Sequence, residues 1–582
     1  DYNVNAGSNE VTEVTTIVYD QINNGEVLTV NNILKTGDAI PTLKWDNEAG
    51  SRAGGIVANF RDSAVSGTTQ VNLVLDDVIG RVDRAADGVI TLASGVETLK
   101  VTSQGSGTNT LNNSANVPLN GGAVDLVSGA GNRTLTKVIV DGAQNFGQAA
   151  TVITDSSLAT YGQTNRATGA DGGVDQTANA IATSSNLISV AASVTEIDAS
   201  AATGNVSMRF TPNTDGTAVN VTYKGGEAKD YIEFERGTIN ATGGKGDDTF
   251  AFITANFERG SFDSTDSVVG GEGSDAIQLG NNGAGNYVVS STEFSNKSGI
   301  DTLDVRTNTA NITLSDAFVA AADNGFTMRT DRVIQTSDTN VDNPTVRTAG
   351  TNALEDNMAT VANLTNLTRG MTYLGGSGSD RLVLNNASFN AGMNLDGGKN
   401  VANNGGATAV AGDYDLITVL NSSVIDAGDM ANVKGFEGLN LVETVTGGSN
   451  FNITMTEAFL LNNTAAANSG ATDIDDRLFQ LFSAADAGGT ALGAGDTVTI
   501  DITDMMTTVN SNTLKTTLTN RTIDVTDLVS KGVAVVYTYN GATVAAGSTA
   551  ALAATGNTST TAVDSASSTA LQGTVGAAAG AS

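Results

Sequence analysis

The residues best suited to chemistry are aspartates that follow glycine-rich turns at a fixed spacing. Three segments match the pattern Gly-Gly-x-Gly-x-Asp-x-U-x, in which U is a large apolar residue, and they begin at Gly243, Gly270 and Gly375. A fourth segment, from Gly225, has Ala228 at the third glycine position. The starts at 225, 243 and 270 are separated first by two and then by three lengths of this nonapeptide. This spacing predicts successive repeats of one structural unit.

The nine-residue spacing also predicts a column of carboxylates. Asp230, Asp248 and Asp266 recur every 18 residues, which is the length of two repeats. If each nonapeptide is a turn followed by a short strand, two repeats complete one coil of a flattened β-helix. Residues two repeats apart then lie about 4.8 Å from each other on neighbouring coils. Carboxylates this close repel each other unless a cation lies between them. Ca²⁺ suits the gap, since it accepts about six to eight oxygens at roughly 2.3–2.6 Å with tolerant geometry.

The glycines support this interpretation, because they permit positive φ angles and the close backbone approach that turns carbonyl oxygens toward a common point. A simpler interpretation of each Gly-Asp pair is an ordinary hairpin turn, where such dipeptides are also favoured. Three full copies, together with two intervals that are multiples of nine residues, favour calcium over that alternative.

The segments resemble the calcium-binding nonapeptide (RTX) repeats of bacterial proteins secreted by type I systems, which form a parallel β-roll. The resemblance implies that each ion lies between rungs two repeats apart, held by turn carbonyls and by the Asp of each rung. It implies a first site at Gly226, Ala228, Asp230, Gly243, Lys245 and Asp248. It implies a second site at Gly244, Gly246, Asp248, Ser261, Asp263 and Asp266.

Two further repeats carry candidate ligands without a complete stacked partner. The repeat from Gly270 supplies Gly271, Gly273 and Asp275. The acid in phase with them, two repeats later, is Glu293. The repeat from Gly375 supplies Gly376, Gly378 and Asp380. Oxygen ligands that follow this last repeat are Asp396, Gly397, Gly398, Asp413 and Asp415.

Short apolar runs between Gly, Asn and Asp turns predict that the chain is all-β. Examples are residues 71–75, 138–140 and 498–502. We expect stacked parallel β-helix or β-roll modules with short helices. The sequence leaves open a β-sandwich-like C-terminal part.

Two stretches, 311–318 and 452–459, resemble each other and predict a strand followed by a short helix. Each has a hydroxyl N-cap and an acidic residue in the first turn of the helix. Matching strands precede them at 299–305 and 435–441, and 95–101 is a third copy of that strand. This internal similarity predicts a modular, stacked β architecture.

We expect four regions along the chain. They are an N-terminal β-rich or β-helical region at 1–200, an RTX β-roll module with a strand-helix element at 201–330, a second related β module at 331–470, and a C-terminal β region with an Ala/Thr/Ser-rich tail at 471–582.

The composition excludes several classes of function. Among 582 residues there are 62 Asp and Glu, 29 Lys and Arg, no Cys and no His, so the net charge is −33. Without thiolates or imidazoles there are no disulfides, no cysteine nucleophiles, no histidine bases and no common zinc site. The acidity disfavours nucleic acid as a partner, because phosphates are repelled. Cations are the expected partners.

The sequence also disfavours insertion into a membrane. No stretch reaches the roughly 18–20 apolar residues of a membrane span. The printed sequence opens without the charged and apolar segments of a signal peptide. The resemblance to type I secreted proteins implies an extracellular location at a bacterial cell surface.

Composition and repeats together resemble RTX-bearing surface-layer (S-layer) proteins. The shared features are a Thr/Ser/Gly/Asn/Ala-rich composition, the absence of Cys, strong acidity and strands of the type seen at 95–101. The resemblance implies a structural protein that folds and self-assembles with calcium, with copies of itself as the main partner. A cell-surface polysaccharide stays open as a further partner.

Two alternatives belong to other classes. The first is an RTX adhesin or filament-forming secreted protein in which the β-roll is a stiff spacer. The second is a secreted hydrolase. The hydrolase is disfavoured, because a His-Glu-x-x-His zinc helix needs His and the sequence has no Gly-x-Ser-x-Gly nucleophile motif. We therefore predict that the chain is not an enzyme.

Overall fold

The computed structural model describes most of the chain between residues 3 and 543. The described residues are 3–5, 14–22, 26–35, 39–47, 54–61, 64–65, 69–79, 90–92, 95–110, 135–147, 187–190, 193–210, 220–235, 237–252, 262–281, 287–307, 309–330, 359–375, 380–398, 415–421, 424–444, 448–464, 478–508, 511–514, 518 and 522–543.

Short strands make up almost all of the regular structure. The first twenty are β1 (Asn3–Asn5), β2 (Thr16–Asp20), β3 (Val27–Ile33), β4 (Thr42–Asp46), β5 (Gly55–Phe60), β6 (Gln70–Asp76), β7 (Ile90–Leu92), β8 (Thr98–Gln104), β9 (Lys137–Gly142), β10 (Ile188–Val190), β11 (Glu196–Ala202), β12 (Ser207–Phe210), β13 (Asn220–Lys224), β14 (Tyr231–Phe234), β15 (Thr238–Lys245), β16 (Thr249–Phe252), β17 (Ser267–Glu272), β18 (Ala276–Asn281), β19 (Tyr287–Val289) and β20 (Lys297–Ser298).

The remaining elements include short helices. The strands are β21 (Thr302–Thr307), β22 (Thr309–Thr313), β23 (Thr327–Arg329), β24 (Ala359–Asn363), β25 (Thr372–Leu374), β26 (Arg381–Asn385), β27 (Asn394–Asp396), β28 (Leu416–Leu420), β29 (Val424–Ile425), β30 (Val433–Lys434), β31 (Gly438–Glu443), β32 (Asn450–Thr454), β33 (Leu478–Phe482), β34 (Thr490–Ala491), β35 (Thr497–Asp501), β36 (Met506–Thr508), β37 (Ser511–Leu514), β38 (Thr522–Asp524), β39 (Ala534–Tyr539) and β40 (Ala542–Thr543). The helices are α1 (Asp316–Ala320), α2 (Glu457–Asn462), α3 (Thr526–Ser530) and a 3-10 turn at Thr503–Met505.

The strands form five long sheets, which we number in chain order. The first is β1-β3-β5-β7, the second β2-β4-β6-β8-β9-β11-β13-β15-β17-β20, the third β10-β12-β14-β16-β18-β21-β23-β25-β27-β30, the fourth β19-β22-β24-β26-β28-β31-β33-β38 and the fifth β29-β32-β35-β39-β40. Most strands that follow each other along the chain belong to different sheets, with exceptions such as β8 and β9 or β39 and β40, and parallel neighbours within a sheet are one coil apart. The pairing between coils is parallel, as in β13 with β15 and β14 with β16. This is a β-solenoid of the β-helix or β-roll type and confirms the predicted all-β fold.

Each sheet covers only part of the solenoid, and the first four end where a later sheet has begun. The duplicated strand-helix elements lie at the ends of the second and third sheets. The second sheet ends at β20, and the N–H of Gly299 just after it donates to the carbonyl of Ala321 at the end of α1 (3.1 Å). The third sheet ends at β30, and the N–H of Gly435 donates to Asn462 in α2 (3.2 Å). Each helix therefore adjoins the last strand of a sheet.

The two predicted helix starts are confirmed. The Ser315 side chain accepts the N–H of Phe318, and the Thr456 side chain accepts the N–H of Phe459. Each hydroxyl satisfies one of the N–H groups that a helix start leaves without an intrahelical partner.

Apolar residues at alternate strand positions fill the space between the sheets. In β6, Val71, Leu73 and Leu75 are buried while their neighbours are partly exposed. Seven of the 17 phenylalanines form a continuous ladder along the inside. They are Phe210, Phe234, Phe252, Phe262, Phe294, Phe318 and Phe326, with successive ring centroids 4.6–5.7 Å apart. These seven rings thus link successive coils inside this part of the solenoid.

The described residues of the C-terminal part continue the parallel solenoid and do not form the sandwich-like structure that the sequence left open. A sandwich packs antiparallel sheets, whereas β33 pairs with β38 and β35 pairs with β39 in parallel. The expected boundary between residues 200 and 201 falls inside β11, and the second sheet continues across it. The first two expected regions therefore share the second sheet.

Candidate functional site

The nonapeptide repeats from Gly225, Gly243 and Gly270 form neighbouring coils between the second and third sheets. On one side β13, β15 and β17 stack, and on the other β14, β16 and β18 stack. Tyr231 pairs with Thr249, which makes a coil of two repeats, and Thr249 pairs with Ala276, which makes a coil of three. In the longer coil, the additional residues lie in the connection between β16 and β17. The glycine turns therefore stay in one stack.

An aspartate directly precedes each third-sheet strand of these coils, and these aspartates are joined by hydrogen bonds. The N–H of Asp230 donates to Oδ1 of Asp248 (2.7 Å), and the N–H of Asp248 donates to Oδ1 of Asp275 (2.8 Å). At the ends, Val206 N–H donates to Asp230 Oδ1 (2.8 Å) and Asp275 N–H donates to Asp301 Oδ2 (3.1 Å). We call Asp230, Asp248, Asp275 and Asp301 the aspartate column. We use the word corner for the turn that directly precedes a strand of a coil. Each carboxylate of the column satisfies a buried backbone N–H at such a corner.

The second carboxylate oxygen distinguishes the members of the column. Oδ2 of Asp230 accepts the hydroxyl of Tyr223 (2.6 Å) and the N–H of Gly226 (3.2 Å). Oδ2 of Asp248 and Oδ2 of Asp275 are buried, and among the described residues neither has a hydrogen-bond partner. A buried charged oxygen without a partner is costly. A cation would therefore stabilise the corners at Asp248 and Asp275.

The residue two positions before the first glycine of each repeat explains this difference. Tyr223 pairs with Ala241 on the next coil, and Ala241 pairs with Val268 on the coil after that. Tyr223 carries a hydroxyl that reaches its aspartate, whereas Ala241 and Val268 carry no polar atom. Oδ2 is therefore satisfied by the protein itself at the first corner and is left open at Asp248 and Asp275.

Burial raises the pKa of these carboxyl groups. It raises the pKa of Asp230 to about 6, and the hydrogen bonds of Asp230 limit the rise. Burial raises the pKa of Asp248 to about 8, with a further contribution from the negative charges of Asp230, Asp275 and Asp247. Burial and the Asp301 charge raise the pKa of Asp275 to about 6. A bound cation would offset both causes.

The first glycine of each turn is required by the carboxylate beneath it. A Cβ on Gly243 would lie 2.2 Å from Oδ2 of Asp248 and 2.3 Å from the carbonyl oxygen of Gly270. A Cβ on Gly270 would lie 2.3 Å from Oδ2 of Asp275. Carboxylate and carbonyl oxygens thus approach the same side of Gly243. Oxygen atoms from carboxylates and backbone carbonyls are the ligands that Ca²⁺ prefers.

A second column follows between the third and fourth sheets. The N–H of Asp380 donates to Oδ1 of Asp415 (2.6 Å), and the N–H of Asp415 donates to Oε2 of Glu437 (2.6 Å). Oδ2 of Asp380 accepts the hydroxyl of Thr330 (3.2 Å), and the Tyr373 hydroxyl also binds this carboxylate. Hydroxyl groups therefore satisfy the second oxygen of Asp380, as the Tyr223 hydroxyl does for Asp230. We call such a corner closed, and a corner whose Oδ2 has no such partner open.

The structure brings the first predicted ligand set together. The N–H of Lys245 donates to the carbonyl of Gly226 (2.9 Å), and Gly246 stacks on Ala228, whose carbonyl oxygen would lie 2.9 Å from a Cβ on that glycine. The full set is Gly226, Ala228, Asp230, Gly243, Lys245 and Asp248. Their role as metal ligands stays a prediction.

The second predicted set is divided, because the coil after Asp248 has the length of three repeats. Gly244 pairs with Gly271, and Asp275 therefore takes the place in the column that the sequence assigned to Asp266. The prediction that Asp266 continues the column is wrong. Gly246 stacks on Gly273 in the same register.

Asp266 lies at the opposite corner of its coil. Its Oδ1 accepts the N–H of Ile239 (2.9 Å) and its Oδ2 accepts the N–H of Asp263 (2.8 Å). These bonds hold Asp266 beside the second sheet, away from Asp248. Ser261, the other member of the predicted set, lies outside the described residues.

The other predicted ligands have separate positions. Glu293, which is in phase with Asp275, accepts the N–H of Ser290 (2.8 Å) instead. Asp396 forms an ion pair with Lys434 (2.8 Å). Gly376, Gly378 and Asp413 lie outside the described residues.

Sequence reasoning missed the acids of the duplicated strands. Asp301 and Glu437 directly precede β21 and β31, and each accepts the N–H of the aspartate one coil earlier. Glu97, in the third copy, accepts the N–H of Thr69 in the same manner. The signal was present, since the acid stands directly before its strand, as the repeat aspartates do.

Comparison with known proteins gives no relative: no family model, curated protein or solved structure matches the chain. Within the described part of the chain, no group of three or more acidic side chains is placed to hold a metal ion. A cation at Asp248 would therefore be held by at most two of the described carboxylates, together with backbone carbonyls. No helix among those residues is long and apolar enough to cross a membrane.

Proposed function

We propose that the chain is a structural protein of an extracellular bacterial surface layer, which completes its β-solenoid and self-assembles with calcium. The observation that carries the proposal is the pair of buried carboxylate oxygens, Oδ2 of Asp248 and Oδ2 of Asp275, that have no hydrogen-bond partner among the described residues. The resemblance of the repeats to RTX sequences supports the choice of metal.

Asp248 and Asp275 would hold calcium together with carbonyl oxygens of the glycine turns that begin at Gly243 and Gly270. Calcium would supply positive charge where burial and neighbouring acids raise the pKa values of these carboxyls. Bound calcium would favour the folded coils, because the unfolded chain does not present these oxygens together.

The charge of the chain supports an assembly that depends on cations. At −33, copies of the chain repel each other within a Debye length of about 8–10 Å at physiological salt. Divalent cations lower this repulsion when they bind to acidic groups. The all-β solenoid supplies a repetitive scaffold for side-by-side packing.

The solenoid also supports the alternative of an adhesin or filament spacer. The second and third sheets each contain ten strands, which extend about 43 Å along the axis at about 4.8 Å per step. A continuous hydrophobic core joins the coils. Such a rod could hold a binding part away from a cell.

Negative-stain microscopy distinguishes these functions. The purified chain is first treated with a chelator and then given excess calcium, or magnesium at equal ionic strength as a control. Regular two-dimensional sheets that form with calcium and dissolve with chelator are the expected result. Isolated rods in calcium would favour the spacer. Identical particles with and without calcium would contradict both functions.

A further inference from the structure

A buried lysine lies at the corner where the second calcium site was predicted. Lys297 is 4% exposed. Its Nζ donates to the carbonyl oxygens of Asp263 (2.5 Å) and Asp266 (2.9 Å). It also lies 4.9 Å from the ring centroid of Phe262. The ammonium group thus fills a pocket made of carbonyl oxygens and an aromatic face, both of which attract cations.

The loop around this ammonium is closed by further hydrogen bonds. Asn296 Nδ2 donates to the carbonyl of Ser264 (3.2 Å), and the N–H of Val268 donates to the carbonyl of Asn296 (3.0 Å). The carboxylate of Asp263 is held by the N–H and hydroxyl of Thr265 (2.7 and 2.5 Å). Loop 262–266 is therefore fixed from both sides, with the lysine at its centre.

The duplicated module shows that the lysine is not needed for the strand itself. Because 299–305 matches 435–441, Lys297 corresponds to Val433. Val433 is completely buried, and β30 ends a sheet as β20 does. A valine therefore suffices at this position in the second module. The lysine occurs in the module in which loop 262–266 lies on the neighbouring coil.

We propose that Lys297 is a built-in cation: its ammonium occupies the carbonyl pocket of loop 262–266 and closes this corner without a metal ion. Three features carry the inference, namely two carbonyl contacts, the aromatic face and nearly complete burial of a charged group. Removal of divalent metal should leave this corner intact. The inference holds whether or not calcium binds at Asp248 and Asp275, so the two proposals can fail separately.

Amine labelling of the wild-type chain tests the inference directly. An acylating reagent is applied in calcium and in excess chelator, and modification is read at each lysine by mass spectrometry. Lys434, whose side chain is 55% exposed, is the internal reference. We expect Lys297 to react at least about tenfold more slowly than Lys434 in both conditions. Reaction at the Lys434 rate, or labelling that appears on chelation, would overturn the inference.

A matched pair of variants gives a second test. Lys297→Met keeps the length of the side chain and removes the charge, whereas Lys434→Met removes an exposed lysine of the corresponding strand. Hydrogen exchange of peptide 262–268 should rise about tenfold in Lys297→Met, with or without calcium, and stay unchanged in Lys434→Met. Unchanged exchange in Lys297→Met would overturn the inference. If that variant does not fold, the labelling of the wild-type chain decides.

Discussion

At Asp230 and at Asp248, Oδ1 accepts the same kind of backbone hydrogen bond, but the surroundings of Oδ2 differ. In both, Oδ1 accepts a backbone N–H from the preceding coil. Tyr223 supplies a hydroxyl to Oδ2 of Asp230, whereas Ala241, its neighbour in the sheet, supplies nothing to Asp248. One corner is thus closed by the protein, and the other is open to a cation.

The repeat motif alone does not decide where a metal is needed. The repeats from Gly243 and Gly375 both match the full motif. Asp380, in the second of them, is closed by hydroxyls of Thr330 and Tyr373. The residue two positions before the first glycine is tyrosine at both closed corners. That position is therefore the better guide to the open corners.

The largest expected effect is the pH dependence of stability in chelator. Unfolded aspartates titrate near pH 4, whereas burial raises the folded pKa of Asp248 to about 8 and those of Asp230 and Asp275 to about 6. Between about pH 4 and pH 8 the folded chain binds more protons, so the free energy of unfolding falls as pH rises. Urea midpoints should therefore decrease across this range.

Asp248→Asn is the matched variant for this experiment. It should flatten the part of the curve between about pH 6 and pH 8, where Asp248 titrates in the folded chain. Excess calcium should flatten the same part in the wild-type chain. Midpoints that rise toward pH 8 in chelator would contradict the open corner.

Gly243→Ala should be the most damaging of the single substitutions at the open corner. The added Cβ would lie 2.2 Å from Asp248 Oδ2 and 2.3 Å from Gly270 O, both within the buried stack. We expect the free energy of unfolding to fall by about 3 kcal/mol, the upper end for overpacking. Gly493→Ala is the control, since the nearest atom to its Cβ would be 4.0 Å away. Equal urea midpoints for the two variants would show that the turn is not packed as described.

Tyr223→Phe should partly open the closed corner, since of the two donors to Oδ2 of Asp230 only the N–H of Gly226 (3.2 Å) would remain. The substitution removes the shorter hydrogen bond, from the hydroxyl, and should lower the free energy of unfolding in chelator by about 2 kcal/mol, as for a bond to a charged group. Calcium should recover part of the loss, and calorimetric titration should show added calcium binding. Tyr537→Phe is the control, because among the described residues that buried hydroxyl has no hydrogen-bond partner. If calcium does not reduce the loss of unfolding free energy, the Tyr223 hydroxyl does not take the place of a cation at Asp230.

Tyr373→Phe should have the smallest effect. Thr330 still donates to Oδ2 of Asp380 after the substitution, so this corner stays closed. We expect a loss below about 1 kcal/mol, in the range of a hydrogen bond with a remaining alternative donor, and no added calcium binding. A loss as large as that of Tyr223→Phe would show that the two closed corners are not equivalent.

Local patterns were sufficient to predict the solenoid and its two strand-helix elements. Alternating apolar residues, glycine turns and the N-caps Ser315 and Thr456 act through neighbours in the sequence, and these predictions are confirmed. The column beyond Asp248 was predicted incorrectly. A coil can lengthen from two repeats to three without changing the corner, and periodicity alone places Asp266 where Asp275 lies.

The contrast between open and closed corners also lies beyond the repeat pattern. It depends on a residue outside the nonapeptide, two positions before its first glycine, whose hydroxyl reaches the aspartate in the structure, as Tyr223 reaches Asp230. The pocket of Lys297 is different, because its carbonyl partners are distant in the sequence, at Asp263 and Asp266. The contacts of Lys297 leave no repeated spacing in the sequence.

The position of bound cations is the most direct test of the central claim. Crystals of the full chain grown with calcium, with terbium exchanged in for anomalous scattering, would locate each ion. We expect anomalous peaks beside Oδ2 of Asp248 and Oδ2 of Asp275 and none beside Asp230 or Asp380. Peaks at the tyrosine-closed corners, or bare carboxylates at Asp248 and Asp275 in saturating metal, would contradict this claim.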